Sequence, residues 1–575
     1  MSSRRRRVLL VVATALGTTL ATGCSLPLPG GVHEVGDVGG EARQGRPLEV
    51  IPPGPRAGAS PTETVLGFLS AQASAVGEHE IARRFLTPGE SGRWDDGGEV
   101  QVYDPDRLQV RALAGGTAQE QVVRVTARVT GTVRADGSYL ARPGDEVTED
   151  YEVGRVQGEW RLRDVPDGLR LTMADLQRAF EPVPVYYLAP VVPERGPHVV
   201  PDLVFLPVEG DRVTALVRRL LAAPSQALAG SVRTAVPAGM RLRRVALSGS
   251  GVATVDLVGG AVRPTGQGAQ DLSAQVVWTL RSLGSAFRSL RLSVDGRPLA
   301  VPGGGATQDA RDWEDYDPDG LGPNPPYLFT SGRRLRASVE LPANPATSGD
   351  VGVGSAVPAD VVALTPDRTT VALLDTSDPR DVVVRVGPLR GSQFPVVARA
   401  AGLSSPSWGS ADHGLWLIRD GRDLVRVADG LKPVTVLGLP EGRLQWVSVS
   451  RDGSRVALVV AGRLHVGRVE LVKGAPRVAG LTEVLPSLRA VTQVVWGSST
   501  ELVALGRRTR PNQVVRTTVD GSSAGTLNTA GLTPTEVAAC PAGVVVASGD
   551  RLYLATRSGF RLVQTDASRA PVFPG

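Results

Sequence analysis

Three short motifs in this 575-residue sequence combine residue types that can do chemistry. The first is Gly521-Ser522-Ser523-Ala524-Gly525, which has the glycine and serine spacing of a nucleophile elbow. Such a turn needs a strand before it, a helix after it, and histidine and acidic partners for the serine. A polar, turn-rich stretch follows Ser523 instead, so we predict that Ser523 is not a catalytic nucleophile.

The second motif is Asp315-x-Asp317-x-Asp319-Gly320, in which carboxylates at alternate positions could bind a hard cation such as Ca²⁺. A calcium loop of this type also needs a bidentate acid at its twelfth position, where this chain has Pro326. No helical pattern flanks the motif. The sequence therefore predicts a solvated acidic turn and no metal site.

Histidines, the usual general bases at neutral pH, are few and dispersed. They stand at positions 33, 79, 198, 413 and 465. His79 is predicted to be a solvated helix residue, and His413 and His465 fall in different repeats without a convincing acid partner. We therefore predict no catalytic residue, no cofactor and no enzyme activity.

The third motif ends an apolar stretch near the N-terminus. Arg4 to Arg7 precede about 13 apolar residues, Val8 to Leu20, which is the length of a signal-peptide core and too short to span a bilayer. The following Ala21-Thr22-Gly23-Cys24 resembles a bacterial lipobox, although its leucine stands one position early. This resemblance implies cleavage after Gly23 and a diacylglycerol on Cys24.

Two acyl chains anchor a protein stably to a bilayer, so we expect a lipid-anchored chain on the extracytoplasmic face of the cell membrane. The alternative is ordinary signal cleavage at the same small residues. Cys24 would then be a plain thiol or a disulfide partner of Cys540, the other cysteine of the chain. We expect Cys540 to be a buried residue at the end of a strand.

Composition excludes several classes of protein. A hydrophobic content of 42% and a mean hydropathy of −0.02 are typical of soluble domains and exclude a polytopic membrane protein. The many glycines (68) and prolines (44) favour short strands joined by turns. The 63 basic and 58 acidic residues nearly balance, with no basic block beyond the N-terminus, so we predict no nucleic-acid partner.

Regular elements begin after a stretch rich in glycine and proline, residues 24–60, which we interpret as a tether. A capping box with proline at the first helical position, Ser60-Pro61-Thr62-Glu63, starts an amphipathic helix. A short helix is expected from His79 to Phe85, and alternating strands then run to Leu162, with a hairpin at Ala135-Asp136-Gly137-Ser138. Two helices followed by a curved antiparallel sheet resemble the α+β cone of NTF2-like domains.

The next region reads as an α/β unit. Its predicted helices are Arg212 to Ala223, with apolar residues on one face, and Asp271 to Leu283. Its predicted strands are Val183–Leu188, Leu203–Leu206, Leu242–Leu247, Val252–Leu257 and Leu290–Val294. The order of these elements, with the turn Val236 to Arg241 and the segment Ala253-Thr254-Val255-Asp256-Leu257, resembles a GerMN domain, the module named from spore-germination proteins.

The C-terminal part of the chain is repetitive. Strand starts at Val371, Leu415, Val456, Leu502 and Val544 are separated by 44, 41, 46 and 42 residues. This period is typical of the four-stranded blades of an all-β propeller, whose repeats close into a ring. Five repeats are plain, and the segment Tyr327 to Val339 is expected to add strands to a sixth.

We therefore predict a multidomain chain whose segments are listed here: signal peptide 1–23, tether 24–60, NTF2-like domain 61–182, GerMN-like domain 183–302, linker 303–326 and β-propeller 327–575. This combination resembles the actinobacterial LpqB lipoprotein family over essentially the whole chain. The resemblance implies an accessory protein of the MtrA–MtrB two-component system that contacts the sensor kinase MtrB and affects cell-envelope homeostasis. An envelope enzyme or glycan-binding protein that uses the propeller mouth or the cone pocket is the alternative. Convergent carboxylates or aromatic residues in either cavity would favour that alternative.

Overall fold

The computed structural model of the protein describes residues 52–74, 77, 79–190, 198–321, 325, 327–337, 357–391, 393–409, 414–507, 512–565 and 568–575. Gly23, Cys24, His33 and His413 lie outside these residues. So do the signal peptide and most of the predicted tether. The described residues form three successive folded regions.

The first region is α+β, as predicted. Its helices are α1 (Pro61–Ala71), α2 (Glu80–Arg83), α3 (Pro88–Arg93) and the 3-10 turn Pro105–Arg107. Its strands are β1 (Val100–Tyr103), β2 (Gln109–Ala112), β3 (Glu120–Val133), β4 (Tyr139–Val156), β5 (Glu159–Asp164) and β6 (Leu169–Thr172), paired in the order β5-β4-β3-β1-β6 with β2 on β3. The predicted capping box forms, because the Ser60 hydroxyl accepts from the Glu63 N–H while the Glu63 carboxylate accepts from the Ser60 N–H. The sequence did not predict β6 or the following helix α4 (Met173–Ala179).

The second region packs two helices against one face of a sheet. The elements are β7 (Phe180–Leu188), β8 (Val199–Pro207), α5 (Arg212–Leu221), β9 (Met240–Leu247), β10 (Val252–Gly259), α6 (Gly266–Leu280), the 3-10 segment Arg281–Ala286, β11 (Ser289–Val294) and β12 (Arg297–Pro298). β10 and β11 are parallel and are joined through α6, whereas β9 pairs antiparallel with β10 as an edge strand. Helix α6 begins five residues before the predicted start, and Thr265 is its N-cap residue.

The predicted linker 303–326 is packed against the second region over much of its length. A 3-10 helix, Ala310–Tyr316, buries Trp313 and Tyr316 in the same core as α6. The Trp278 Nε1–H donates to the Trp313 carbonyl at 3.2 Å, and the Tyr316 hydroxyl donates to the buried Asp271 at 2.7 Å. These contacts make the first half of the segment part of the second domain's core.

The third region is a ring of six β-sheets within the described residues. The first sheet is β14-β13-β36, formed by Arg334–Ala337, Leu328–Ser331 and Ser568–Val572. The others are β15–β18 (Val361–Leu364, Thr370–Asp375, Val382–Pro388, Val396–Ala400), β19–β22 (Leu403–Trp408, Leu415–Arg419, Asp423–Val427, Leu431–Pro433), β24–β27 with β23 (Leu444–Val449, Arg455–Val460, Arg463–Val472, Ala475–Glu483; Thr435–Val436), β28–β31 (Arg489–Ser498, Glu501–Arg507, Gln513–Thr518, Ala524–Thr526) and β32–β35 (Glu536–Cys540, Gly543–Ser548, Arg551–Thr556, Gly559–Gln564). The first sheet joins residues after Tyr327 to the last strand of the chain, so the two ends of the repeat region close the ring.

Hydrogen bonds join the three regions into one body. The β3–β4 hairpin tip of the first region meets the second region, where the Gln226 N–H donates to Asp136 at 2.8 Å and the Phe205 N–H donates to the Gly137 carbonyl at 2.8 Å. The second region also contacts the propeller, where the buried Arg455 guanidinium donates to the carbonyl oxygen of Pro201 in β8. The predicted turn at Asp136 is therefore also a contact between domains.

Candidate functional site

The six innermost propeller strands surround a cavity of about 390 Å³. These strands are β15, β19, β24, β28, β32 and β36, and each contributes residues to the wall. Apolar side chains line much of it: Val361, Ala363, Val447, Val495, Ala538 and Phe573. A cavity of this size lies in the range that holds a small ligand.

Polar side chains in the cavity wall bond the backbone of the next blade. The Ser405 hydroxyl accepts from the Val447 N–H at 2.9 Å, and Gln493 both donates to and accepts from the Val537 backbone at 2.8 Å. Asp360, one of the carboxylates in the wall, accepts from the Arg333 guanidinium at 2.8 Å and from the Thr376 N–H at 2.9 Å. These groups hold the ring together, and Asp360 is already paired.

Arg451 joins the ends of three of these inner strands. Its guanidinium donates to carbonyl oxygens at the C-terminal ends of three inner strands, those of Pro574 (3.0 Å), Trp496 (3.1 Å) and Ala539 (3.2 Å). Only 5% of the residue is exposed. Arginine suits this position because its planar fork presents several donors in fixed directions.

Asp319, from the predicted acidic turn, lies behind Arg451. Its Oδ1 atom accepts from the Ser499 N–H at 2.7 Å and lies 3.9 Å from the Arg451 Nη1 atom. Its side chain is 25% exposed, and burial raises the pKa of the carboxyl to about 6, against the opposing effect of Arg451. The prediction of a fully solvated turn is therefore wrong for Asp319, because the turn docks on the propeller.

The three acidic residues of that turn do not form a cation site. Asp315 is exposed in the 3-10 helix, and the Asp317 carboxylate accepts from the Asp319 N–H. Across the described part of the chain, no group of three or more histidine, cysteine, aspartate or glutamate side chains is placed to hold a metal ion.

A second cavity, of about 220 Å³, lies where the three regions meet. Asp202 of the second region is 1% exposed and accepts from the Ser225 hydroxyl and N–H at 2.6 and 2.7 Å. Asp520 of the propeller accepts from the Thr518 and Ser522 hydroxyls at 2.6 and 2.8 Å. Burial raises the pKa of both carboxyls. The positive charge of Arg455 interacts with both Asp202 and Asp520.

A third, more open cleft of about 580 Å³ runs between the second region and the propeller. Its aromatic wall is Trp278 with Tyr186, whose ring centroids are 5.6 Å apart. The Arg281 guanidinium lies over the Trp278 ring, 4.3 Å from its centroid. This stacking covers the aromatic face that a sugar ring would otherwise contact.

The cavity inside the cone of the first region has a volume of about 20 Å³. Tyr103 and Leu108 line it, and the Arg170–Glu149 ion pair, with two contacts of 2.6 and 3.0 Å, fills the space beside them. A cavity of this size has room for about one water molecule, so it does not admit a sugar or a peptide side chain.

The structure separates the residues that a hydrolase would bring together. Ser523 lies in the β30–β31 hairpin, where strand β31 rather than a helix follows. His465 lies in β26 with its Nδ1 atom 3.2 Å from the Arg463 carbonyl oxygen, and burial lowers the pKa of its ring. Neither residue is hydrogen-bonded to the other, so the described residues hold no serine–histidine pair here.

The prediction of a solvated His79 is wrong. His79 is 9% exposed, precedes α2 in the left-handed region with a φ of 60°, and packs edge-on against Trp94. Its Nε2 atom is 3.9 Å from Asp96, and burial lowers the pKa of the ring. Cys540 is 4% exposed at the end of β32, as predicted, and burial raises the pKa of its thiol.

The sequence did not predict that Arg451 and Arg455 are buried in the propeller, or that Asp319 packs against it. Arg451 lies within the turn Ser450 to Ser454, and Arg455 follows it directly. The turn repeats at Thr365–Thr369 and Thr518–Ser522, each time with a central aspartate that accepts from both flanking hydroxyls. The repetition of this turn was a usable signal for its structural role. Nothing local marks Arg451, since its three carbonyl partners belong to strands far along the chain.

Comparison with known proteins identifies relatives for all three regions. Residues 54–177 match the model of "Lipoprotein LpqB, N-terminal domain", residues 184–300 match "Sporulation and spore germination" (Germane), and residues 345–574 match "Lipoprotein LpqB beta-propeller domain". Proteins named Lipoprotein LpqB from Thermobifida fusca and Streptomyces coelicolor are 27% and 29% identical. The alignments cover 100% of both chains in the first case, and 99% of this chain and 98% of the relative in the second.

Solved structures with partial similarity include TolB from Acinetobacter baumannii, with a TM-score of 0.34, 15% identity and coverage of 44% of this chain and 67% of that chain. The tandem GerMN domains of GerM from Bacillus subtilis give a TM-score of 0.19 at 20% identity, with coverage of 26% of this chain and 54% of that chain. The helices in the described ranges are all too short or too polar to cross a membrane.

Proposed function

Because the chain belongs to the family of LpqB lipoproteins, we propose that it is a lipid-anchored extracytoplasmic protein that modulates the sensor kinase MtrB of the MtrA–MtrB system by binding it. The effect of this binding would be on cell-envelope homeostasis. Full-length similarity to proteins named as lipoproteins is the observation that carries the anchor. The contact with the kinase is the family's implied role and is tested below.

The geometry of the cavities supports binding in preference to catalysis. General acid–base catalysis needs two suitably placed titratable groups within reach of one substrate. The channel carboxylate Asp360 is paired with Arg333, and the cone cavity is too small for a substrate. The Arg281 guanidinium covers Trp278 in the open cleft. The small volume disfavours the glycan-binding alternative at the cone. At the propeller mouth, Trp408, Trp446 and Glu536 also line the channel, so glycan binding there is the second candidate function.

The anchor is tested by replacing Cys24 with alanine. Metabolic labelling with a fatty-acid analogue should label the wild-type chain and not Cys24→Ala, and cell fractionation should move the variant out of the membrane fraction. Cys540→Ala is the matched control, because it removes the other cysteine and should keep the label. A wild-type chain that takes up no label, with a variant that stays in membranes, would refute the anchor.

The kinase contact is tested by photocrosslinking in cells that express both proteins. Photoreactive residues at exposed positions of the propeller, for example Arg390, Arg422 and Arg551, should yield a covalent product that contains the kinase. The same residues in a Cys24→Ala chain should give less product, because the anchor raises the local concentration at the membrane. Crosslinking at no position on any of the three domains, with the chain correctly localised, would contradict the proposal.

A further inference from the structure

The open face of the second region's sheet is rich in arginine. Helices α5 and α6 cover the opposite face, where Val255 and Leu292 are buried. Side chains alternate along each strand, so residues between the buried positions point away from the helices. The exposed arginines on this open face are Arg241, Arg243 and Arg244 of β9 and Arg291 of β11.

These arginines are largely unpaired within the protein. Arg243 lies 3.6 Å from Asp256, whereas the other three have no side-chain hydrogen bond or ion pair with any residue that the structure describes. Asp256 and Asp295 are the acidic residues of these strands and their turns. The face is therefore strongly positive, although basic and acidic residues almost balance in the chain as a whole, at 63 and 58.

An apolar loop projects at one end of this face. Val262, in the loop after β10, is 70% exposed, more than any other large hydrophobic residue among the described residues. Ala261 beside it is also exposed, and its N–H donates to the carbonyl of the exposed Ala238 at 3.1 Å. Arg263 fixes the loop to the sheet by donating to the Val294 carbonyl at 2.8 Å.

We propose that this arginine face and the Val262 loop form a peripheral binding surface for an anionic phospholipid membrane. Cationic side chains near a bilayer are attracted to anionic headgroups, and a projecting apolar side chain gains by insertion at the interface. The arginine side chains also match phosphate geometry, because their donors form a planar fork. The inference gives the second domain a role in orienting the chain on the bilayer, and it rests on the proposed lipid anchor for its cellular setting.

Two independent features support a membrane over a soluble anion. A soluble phosphate or acidic peptide would be satisfied by the arginines alone, whereas an exposed valine in an alanine- and glycine-rich loop adds nothing to such a site. On the central strand β10 the outward residue Thr254 is exposed, so the basic surface extends across the sheet and is not a closed pocket. A flat, open, basic surface with an apolar tip fits a bilayer.

The test uses the full mature chain purified from membranes and reconstituted into nanodiscs. One set contains phosphatidylcholine alone, and the other contains phosphatidylcholine with phosphatidylglycerol. Hydrogen exchange of residues 240–247, 259–263 and 288–297 should slow in the anionic nanodiscs alone, and high salt should remove this protection. Equal exchange in the two compositions at low salt would overturn the proposal.

Charge reversal provides the matched control. The variant Arg241→Glu, Arg244→Glu, Arg291→Glu should lose the protection, and its binding to anionic vesicles should fall by at least about 100-fold, since each arginine near the surface contributes about a factor of five. The variant Arg390→Glu, Arg422→Glu, Arg551→Glu changes the net charge equally on exposed propeller residues and should behave as wild type. Equal losses in the two variants would show a net-charge effect and overturn the proposal.

Two further measurements separate this surface from the anchor and from a protein partner. Flotation with phosphatidylcholine vesicles in high salt reports the anchor alone, whereas flotation that requires phosphatidylglycerol and low salt reports the arginine face. Val262→Ser should weaken the anionic binding without changing the salt dependence. Protection of the same strands by purified sensor kinase in zwitterionic nanodiscs, with none from phosphatidylglycerol, would assign the face to a protein and refute the membrane assignment.

Discussion

Replacing Asp319 with asparagine should make the propeller more stable at neutral pH and change little in acid. The partly buried Asp319 carboxyl has a pKa of about 6, above its usual value near 3.8, so the folded state binds its proton more tightly than the unfolded state does. Stability linked to this group is complete below the unfolded pKa and is lost as the pH rises through about 6. Asparagine cannot ionise, and its Oδ1 atom can still accept from the Ser499 N–H.

The size of the effect follows from the two pKa values. A difference of about two pH units corresponds to about 3 kcal/mol in the free energy of unfolding. About a third of this is already lost at about pH 4.5, so the gain of Asp319→Asn over wild type should grow by about 2 kcal/mol between about pH 4.5 and 7.5.

Urea unfolding followed by tryptophan fluorescence measures this difference, because Trp496 is buried and its carbonyl oxygen accepts from Arg451. With a slope of about 3 kcal/mol per molar urea, the midpoint of the variant should move up by roughly 0.7 M relative to wild type over this pH range. Asp429→Asn, at an exposed propeller aspartate, is the control and should show no such trend. A pH-independent difference between Asp319→Asn and wild type would refute the assignment of a desolvated carboxyl.

Three other predictions concern the propeller. Arg451→Ala should lower the free energy of unfolding by about 3–5 kcal/mol in urea titrations, because three buried carbonyls lose their donor. Arg422→Ala on the surface should change this free energy by less than about 0.5 kcal/mol. Equal effects of the two substitutions would contradict the role of Arg451 in joining the strand ends. Gly521→Ala should reduce the thermal unfolding midpoint, because Gly521 has a φ of +76° and a Cβ atom there would lie 2.0 Å from the Val484 carbonyl oxygen. Gly525→Ala is the control and should be tolerated, because a Cβ atom at Gly525 has open space. An unchanged midpoint for Gly521→Ala would contradict this prediction. Ser523→Ala and His465→Ala should leave cellular complementation intact, and loss of complementation by a folded, anchored Ser523→Ala chain would favour an enzyme.

Local patterns predicted most of the individual elements. The capping box at Ser60, the apolar face of α5 and the blade period all act within one element or between adjacent repeats, so each leaves a trace in a short window of sequence. Errors were confined to element ends, such as the early start of α6 at Gly266, and to short elements such as α4. Element ends depend on capping and packing that periodicity does not record.

Long-range packing explains what the sequence did not predict. Asp319 looked solvated because its neighbours are acidic and glycine-rich, yet it docks against Ser499, 180 residues away. Arg451 looked like an ordinary turn residue, yet its donors meet carbonyls 45, 88 and 123 residues further along the chain. The arginine face was likewise missed, because alternation along β9 and the pairing of β10 with β11 bring dispersed arginines to one side of a sheet.

We propose that the protein binds the sensor kinase MtrB at the membrane, and reconstitution tests this binding most directly. The full chain with its anchor and the purified kinase MtrB, incorporated together in nanodiscs, should form a saturable complex that single-molecule fluorescence colocalisation detects. The complex should persist with Ser523→Ala and His465→Ala, since binding does not need these residues. Independent diffusion of the two proteins at every protein ratio, with each correctly folded and inserted, would contradict the account.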